Sequence, residues 1–258
     1  MLYKQENITL VDEVRKTGRG NRVWIEILKF LAVLTPINLI MVFAGEAIKA
    51  ALFQKSVINE EISMIIQLYE CALGIGLVVL YCCCIEKRTF MSMGFMKRHV
   101  CKQYIKGACV GAMLISALVW MGVLFNTFIF NGFNVNLDKK SIFLFLGGFL
   151  LQGFYEELVF RGFFMISIIR KNTIFVAVMV NSILFGLTHG FNNGFQVLAL
   201  LNLILFGIFE SIYLLKTGNI WGISAIHSMW NFIQGNIYGF NVSGMAQSQS
   251  IFIFKISN

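Results

Sequence analysis

Phe154-Tyr155-Glu156-Glu157-Leu158-Val159-Phe160-Arg161-Gly162 sets two adjacent carboxylates and an arginine inside the otherwise apolar run 141–169. An ionised side chain at the centre of a helix in lipid costs roughly 3 kcal/mol, so three of them must pair or serve a reaction. Helical geometry divides their tasks. Glu157 and Arg161 are four apart and share a face, which suits an ion pair. Glu156 is turned by about 100° from Glu157, so it is the carboxylate left free for chemistry. On this stretch alone a purely structural buried ion pair is an equally good reading.

The rest of the chain sets the surroundings of that run. Its 258 residues are 57% hydrophobic and 13% charged, with 26 Phe and a single Pro, Pro36. A soluble domain carries about a quarter charged residues. The mean hydropathy of +0.74 points the same way. The expected fold class is therefore all-α, a polytopic transmembrane helix bundle of about seven spans (six to eight). Net charge is +8, but the Lys and Arg residues cluster between apolar spans. The positive-inside rule explains that clustering, so nucleic acid is not an expected partner; membrane lipids are. Six cysteines form no CxxC pair, which speaks against a disulfide framework and a zinc knuckle.

Four segments follow. Residues 1–26 are polar and basic, with Lys4, Arg15, Lys16, Arg19 and Arg22, and lack the apolar core of a signal peptide. Residues 27–140 hold three N-terminal spans, near 27–45, 62–85 and 104–130. The second contains Glu70, which could snorkel, pair or face a polar cavity; pairing is the expectation. Between the second and third spans lies the most basic loop, with Lys87, Arg88, Lys97, Arg98, Lys102 and Lys106, expected to be cytoplasmic together with the N-terminus. Gly107 and Gly111 have the spacing that lets helices approach closely. Residues 141–244 hold four more spans and the candidate site, and 245–258 form a tail too short to cross a membrane. The chain is expected in the cell membrane as a multi-pass protein.

Depth brings distant residues together. At ~1.5 Å per residue, Glu156 lies about 21 Å from Arg170 and His189 about 27 Å from Lys171. On the same scale His227 lies about 16 Å and Asn231 about 22 Å from Lys216. All four fall in the middle half of a membrane whose apolar core is ~30 Å thick. Each alone reads as a packing hydrogen bond; their convergence reads as a site. Two imidazoles and a carboxylate can activate water or hold zinc, and Asn with His can donate to an oxyanion. The helical zinc-protease motif His-Glu-x-x-His is absent, so a metal would be held across helices by Glu156, His189 and His227.

These motifs, Glu156-Glu157-x-x-x-Arg161, Phe185-x-x-x-His189 and His227-x-x-x-Asn231, resemble those of the CPBP or Abi family. Its members are membrane proteins related to type II CAAX prenyl endopeptidases and to bacteriocin-processing or self-immunity proteins. The resemblance extends from about Phe149 to Gly244 and includes Trp230-Asn231-Phe232-Ile233-Gln234-Gly235. It implies an intramembrane endopeptidase acting on a membrane-embedded peptide or protein. By matched position Glu156 would be the general base and His189 would hold the water. His227 and Asn231 would stabilise the oxyanion, with Glu157 and Arg161 supporting the site. A glutamate-activated water needs no cofactor; a zinc-dependent version of the protease is the alternative. A non-catalytic peptide-binding immunity or scaffold protein is a second class. A proton-relay transporter is a third, weakened by the absence of paired inverted repeats.

Overall fold

The computed structural model describes residues 10–16, 20–53, 58–97, 99–192 and 196–257. Lys4, Arg19 and Arg98 of the basic segments lie outside them. Helix α1 (Leu10–Arg15) is a short N-terminal piece whose Leu10 and Val14 are buried. Among the described residues, five helices are long and apolar enough to cross a membrane. They are α2 (Val23–Phe53), α3 (Glu60–Leu80, continuing to Ile85), α4 (Val100–Leu124), α5 (Lys139–Glu157, continuing to Ile169) and α8 (Val197–Thr217). Helix α7 (Ile174–Thr188) is apolar but shorter. Helix α9 (Ile220–Phe232) continues through a π-turn to Ile237. The seven expected spans are thus present as helices, five of them long. Within the fourth, α6 (Ile166–Ile169) closes the run after the π-helical stretch Leu158–Met165.

Expectation and structure part at both ends of the bundle. At 31 residues, α2 measures about 46 Å, well beyond a ~30 Å apolar core. It runs through Pro36 without ending and carries Glu46 and Lys49 in its last turns. The third span, expected to run to 130, ends at Leu124, and strand β1 (Phe128–Phe133) takes over its last residues. The tail supplies β2 (Phe252–Ile256), which pairs antiparallel with β1. This small sheet caps one end of the bundle. There the Asp138 backbone N–H donates to Gln249 Oε1 at 3.0 Å, and Ser248 and Gln249 donate to Glu61 at 3.1 and 3.2 Å.

The opposite end collects positive charge. Helix α1 packs against α6 and the short turn Met91–Met93, and the Ile220 N–H donates to Gly94 O at 2.9 Å. Arg15, Arg22, Lys87, Lys97, Lys102, Arg170, Lys171 and Lys216 all belong to segments that meet here. Part of the charge is buried. Glu86 is ion-paired to Lys29 and Arg88, each at 2.6 Å, and to Arg170 at 3.2 Å. Burial pulls the Glu86 carboxyl upward, but these three cations outweigh it and hold its pKa below the ordinary glutamate value.

Helix contacts close to the backbone set the rotation of α9. A Cβ at Gly107 would strike the carbonyl of Gly222, and one at Gly111 the carbonyl of Ile226. On the other side of α9, a Cβ at Gly153 of α5 would come within 2.7 Å of the Ser228 nitrogen. The GxxxG spacing of α4 is therefore used. Both close approaches flank His227.

Candidate active site

Helix α5 ends at Glu157 and the backbone widens into the π-turn Leu158–Met165. Such turns loosen the carbonyls along the axis and recur at functional sites. Two of those carbonyls, Gly162 and Phe163, accept from Arg88 Nη1 at 3.1 Å each, and Arg88 also donates to Ser167 Oγ. The buried cluster at the basic end thus grips the turn that follows the two glutamates.

Glu156 and Glu157 enter separate layers. Glu157 is fully buried, with Oε1 2.8 Å from Arg161 Nη1 and 2.8 Å from His227 Nδ1. Arg161 reaches Glu210 on α8 at 3.1 Å, and its guanidinium lies over the Phe185 ring at 4.4 Å. One guanidinium and one imidazole N–H thereby tie three helices to two buried carboxylates. Among the described residues, Glu157, Glu210 and His227 are a group whose metal-ligating atoms lie within 4.8 Å of one another. Arg161 supplies one positive charge to the same layer. Glu210 was visible in the sequence only as one acid in an apolar span. Nothing there linked it to Arg161.

Glu156 lies above this layer. Its Oε1 accepts from Gln152, and its Oε2 is buried without a hydrogen-bond partner. That oxygen is 3.6 Å from His227 Nε2 and 3.9 Å from His189 Nε2. Both imidazoles are oriented from behind. His227 Nδ1 donates to the Glu157 carboxylate, and His189 Nδ1, 2.8 Å from the carbonyl of Phe185, donates to it. Each ring in its neutral form then turns a bare Nε2 toward Glu156. The three converging acceptors suit a molecule that donates to them.

Asn231 Nδ2 donates to Gln152 Oε1 at 2.9 Å, so Gln152 links Asn231 to Glu156. The sequence reading missed Gln152. Its place four residues before Glu156, polar within the same apolar run, was the available signal. Beside the site, Tyr155 Oη donates to Asn38 Oδ1 at 2.8 Å and ties α5 to α2.

Two cavities meet at His189. The larger, about 750 Å³, has Tyr155, Glu156 and Cys71 deep inside and is walled by α2 and α3 through Asn38, Glu46, Lys49, Gln67 and Glu70. Glu70, expected to be paired, instead faces this cavity, its carboxylate lying across Gly45. The smaller, about 50 Å³, is lined by His189, His227, Asn231, Phe206 and Trp230. Glu156, His189, His227 and Asn231, placed at one depth from sequence, thus surround a single junction.

Residues 138–233 match the family model for Rce1-like proteins, type II CAAX prenyl endopeptidase. Neither a curated protein nor a solved structure matches the chain.

Proposed function

We propose, from the match of residues 138–233 to the Rce1-like family model of type II CAAX prenyl endopeptidases and from the membrane-length helices of the chain, that Glu156 is the general base of an intramembrane endopeptidase. One observation carries the assignment. The buried, unpartnered Oε2 of Glu156 stands at the junction of the two cavities, facing the Nε2 atoms of His189 and His227. A water donating one hydrogen to Glu156 and the other to His189 has its lone pair left for the substrate carbonyl. As its oxygen bonds to the carbonyl carbon, Glu156 takes a proton. The oxyanion then lies in the small recess beside Asn231, whose amide can donate to it, and beside His227, which can donate from Nε2 only in its imidazolium form, with Nδ1–H still held by Glu157. Glu156 returns the proton to the leaving amine, so a peptide bond and one water become an acid and an amine.

Glu157 and Arg161 are supporting residues in this reading, Glu157 because it orients His227 and Arg161 because it balances the two buried carboxylates. Glu156→Gln keeps the size of the side chain but cannot take a proton. It should abolish cleavage, or protection in a cell-based assay, with expression unchanged. Undiminished protection in that variant sinks the hydrolase and leaves a peptide-binding immunity protein, and undiminished cleavage removes Glu156 as the base. Processing of a bacteriocin-like precursor, or self-immunity to one, suits this chemistry. An adjacent gene for a small leader-bearing peptide would support that role.

A zinc-dependent version has its own supporting observation. His227 and His189 each donate Nδ1–H to a carboxylate or carbonyl, the arrangement that orients metal-bound histidines. Glu156, His189 and His227 would hold the ion, which would polarise the carbonyl and acidify bound water. Loss of activity with a chelator, restored by zinc, would establish it. The basic end is assigned to the cytoplasm, so the N-terminus is inside and the sheet outside.

A further inference from the structure

The family description names a prenyl endopeptidase but no direction of entry, and the large cavity bears on both. Its inner end is formed by Asn38, Cys71, Tyr155 and Glu156, and its wall rises along α2 to Glu46 and Lys49. Asn192 and the segment 242–245 complete it. Every one of these outer elements lies toward the end capped by β1 and β2. Lys49 is near the C-terminus of α2, whose N-terminus is at the basic end. The segment 242–245 leads into β2, and Asn192 follows the end of α7 remote from Arg170. No residue of the basic end lines the cavity, whose lining is confined to 38–71, 149–192 and 242–245. Entry is therefore from the sheet-capped end.

The lining also discriminates between substrates. An isoprenoid chain needs an apolar slot, because each polar group it covers loses water without gaining a partner. Here Asn38, Gln67, Glu70 and Gln152 face the cavity on the way to Glu156, with the Glu46–Lys49 ion pair (2.9 Å) at the rim. Met41, Val42, Leu68, Phe149, Val242 and Met245 line the same wall, so the surface is mixed and matches a polypeptide, whose amides meet the polar groups and whose side chains meet the apolar ones.

We infer that the cavity receives an unlipidated peptide segment delivered from the membrane face opposite the basic one. The inference rests on the hydrolase reading for what happens to that segment, but not for how it enters. With the positive-inside rule, that face is extracytoplasmic, and the substrates are exported peptides or outward-facing ends of membrane proteins.

Lys49→Cys and Gln67→Cys place a thiol at the rim and midway along the wall, away from the catalytic groups. Exposed Cys84 and Cys101 already mark the basic end. The full-length variants are treated with a membrane-impermeant maleimide in right-side-out and inside-out vesicles, and labelled sites are located by peptide mass mapping. Lys49→Cys and Gln67→Cys should label in right-side-out vesicles, Cys84 and Cys101 only in inside-out ones. Labelling of Gln67→Cys together with Cys84 and Cys101 overturns the inference, and so does a Gln67→Cys that reacts from neither side. A mixture of unmodified peptides should slow the Gln67→Cys reaction. Slowing by farnesylated peptides alone overturns the substrate class. Protection by unmodified peptides that wild type fails to hydrolyse would refute the hydrolase and leave the entry route intact.

Discussion

His227 Nδ1 stands 2.8 Å from Glu157 Oε1, while Nε2 of the same ring faces Glu156 Oε2 at 3.6 Å. The two adjacent glutamates thus act on one imidazole from opposite sides, and their conservative replacements should separate. Glu156→Gln should keep the fold and lose cleavage. Glu157→Gln should lose both, because it removes the charge that balances Arg161 and orders His227. Thermal stability in detergent beside a cleavage assay checks this, and normal stability in Glu157→Gln would remove the supporting role.

Arg161 serves two carboxylates, Glu157 and Glu210. Arg161→Ala strands buried charge at a cost of about 3–5 kcal/mol and should lower the folded amount in the membrane. Arg161→Lys should rescue little, since an ammonium can neither bridge both acids with a planar fork nor stack on Phe185 in the same way. Abundance and melting temperature equal to wild type in Arg161→Ala would contradict this.

Gly153 has no room for a Cβ beside the Ser228 backbone, whereas Gly76 has open space. Gly153→Ala should push α5 from α9, costing about 1–3 kcal/mol and displacing His227. Gly76→Ala should be neutral or stabilising by up to about 1 kcal/mol. Equal melting temperatures for the two variants would show that the α5–α9 contact does not set the site.

Gln152 joins Asn231 to Glu156. Gln152→Leu should reduce kcat with folding little changed, and Asn231→Ala should leave weak residual activity, since loss of one oxyanion donor costs about 10²–10³ in rate. A kcat for Asn231→Ala within a few-fold of wild type would remove it from the oxyanion site.

Glu86 at the basic end gives a pH test. Its pKa is depressed by Arg88, Lys29 and Arg170 against the opposing pull of burial. A depressed carboxyl contributes stability that is present above the unfolded value, about 4.3, and is lost as pH falls through the lower folded value. Melting temperature should therefore drop in acid below about pH 4. Glu86→Gln should be less stable at neutral pH and show a shallower acid drop. Parallel curves for the two proteins would rule Glu86 out as the source.

Residue type and spacing alone determined the helical membrane class, and they placed Glu156, His189, His227 and Asn231 at one depth. Hydropathy marks a span, and each polar residue stands out within it at a height that helical rise converts to distance. The same period showed that Glu157 and Arg161 share a face. It could not show which helix that face would meet. Glu210 joins Arg161, Gln152 joins Asn231, and Arg88 reaches the π-turn across 74 residues of sequence, all because of how the helices are rotated and packed. That rotation depends on the backbone approaches at Gly107, Gly111 and Gly153, whose partners lie on another helix. The β1–β2 pairing also escaped the sequence, because its ladder joins residues more than a hundred positions apart and strand pairing depends on what the fold brings alongside. Tertiary structure alone decided that the cavity opens toward the sheet-capped end, since α2 and α3 supply one wall, and α5, the end of α7 with Asn192 and the 242–245 segment the rest, and no local pattern records which helices will stand apart.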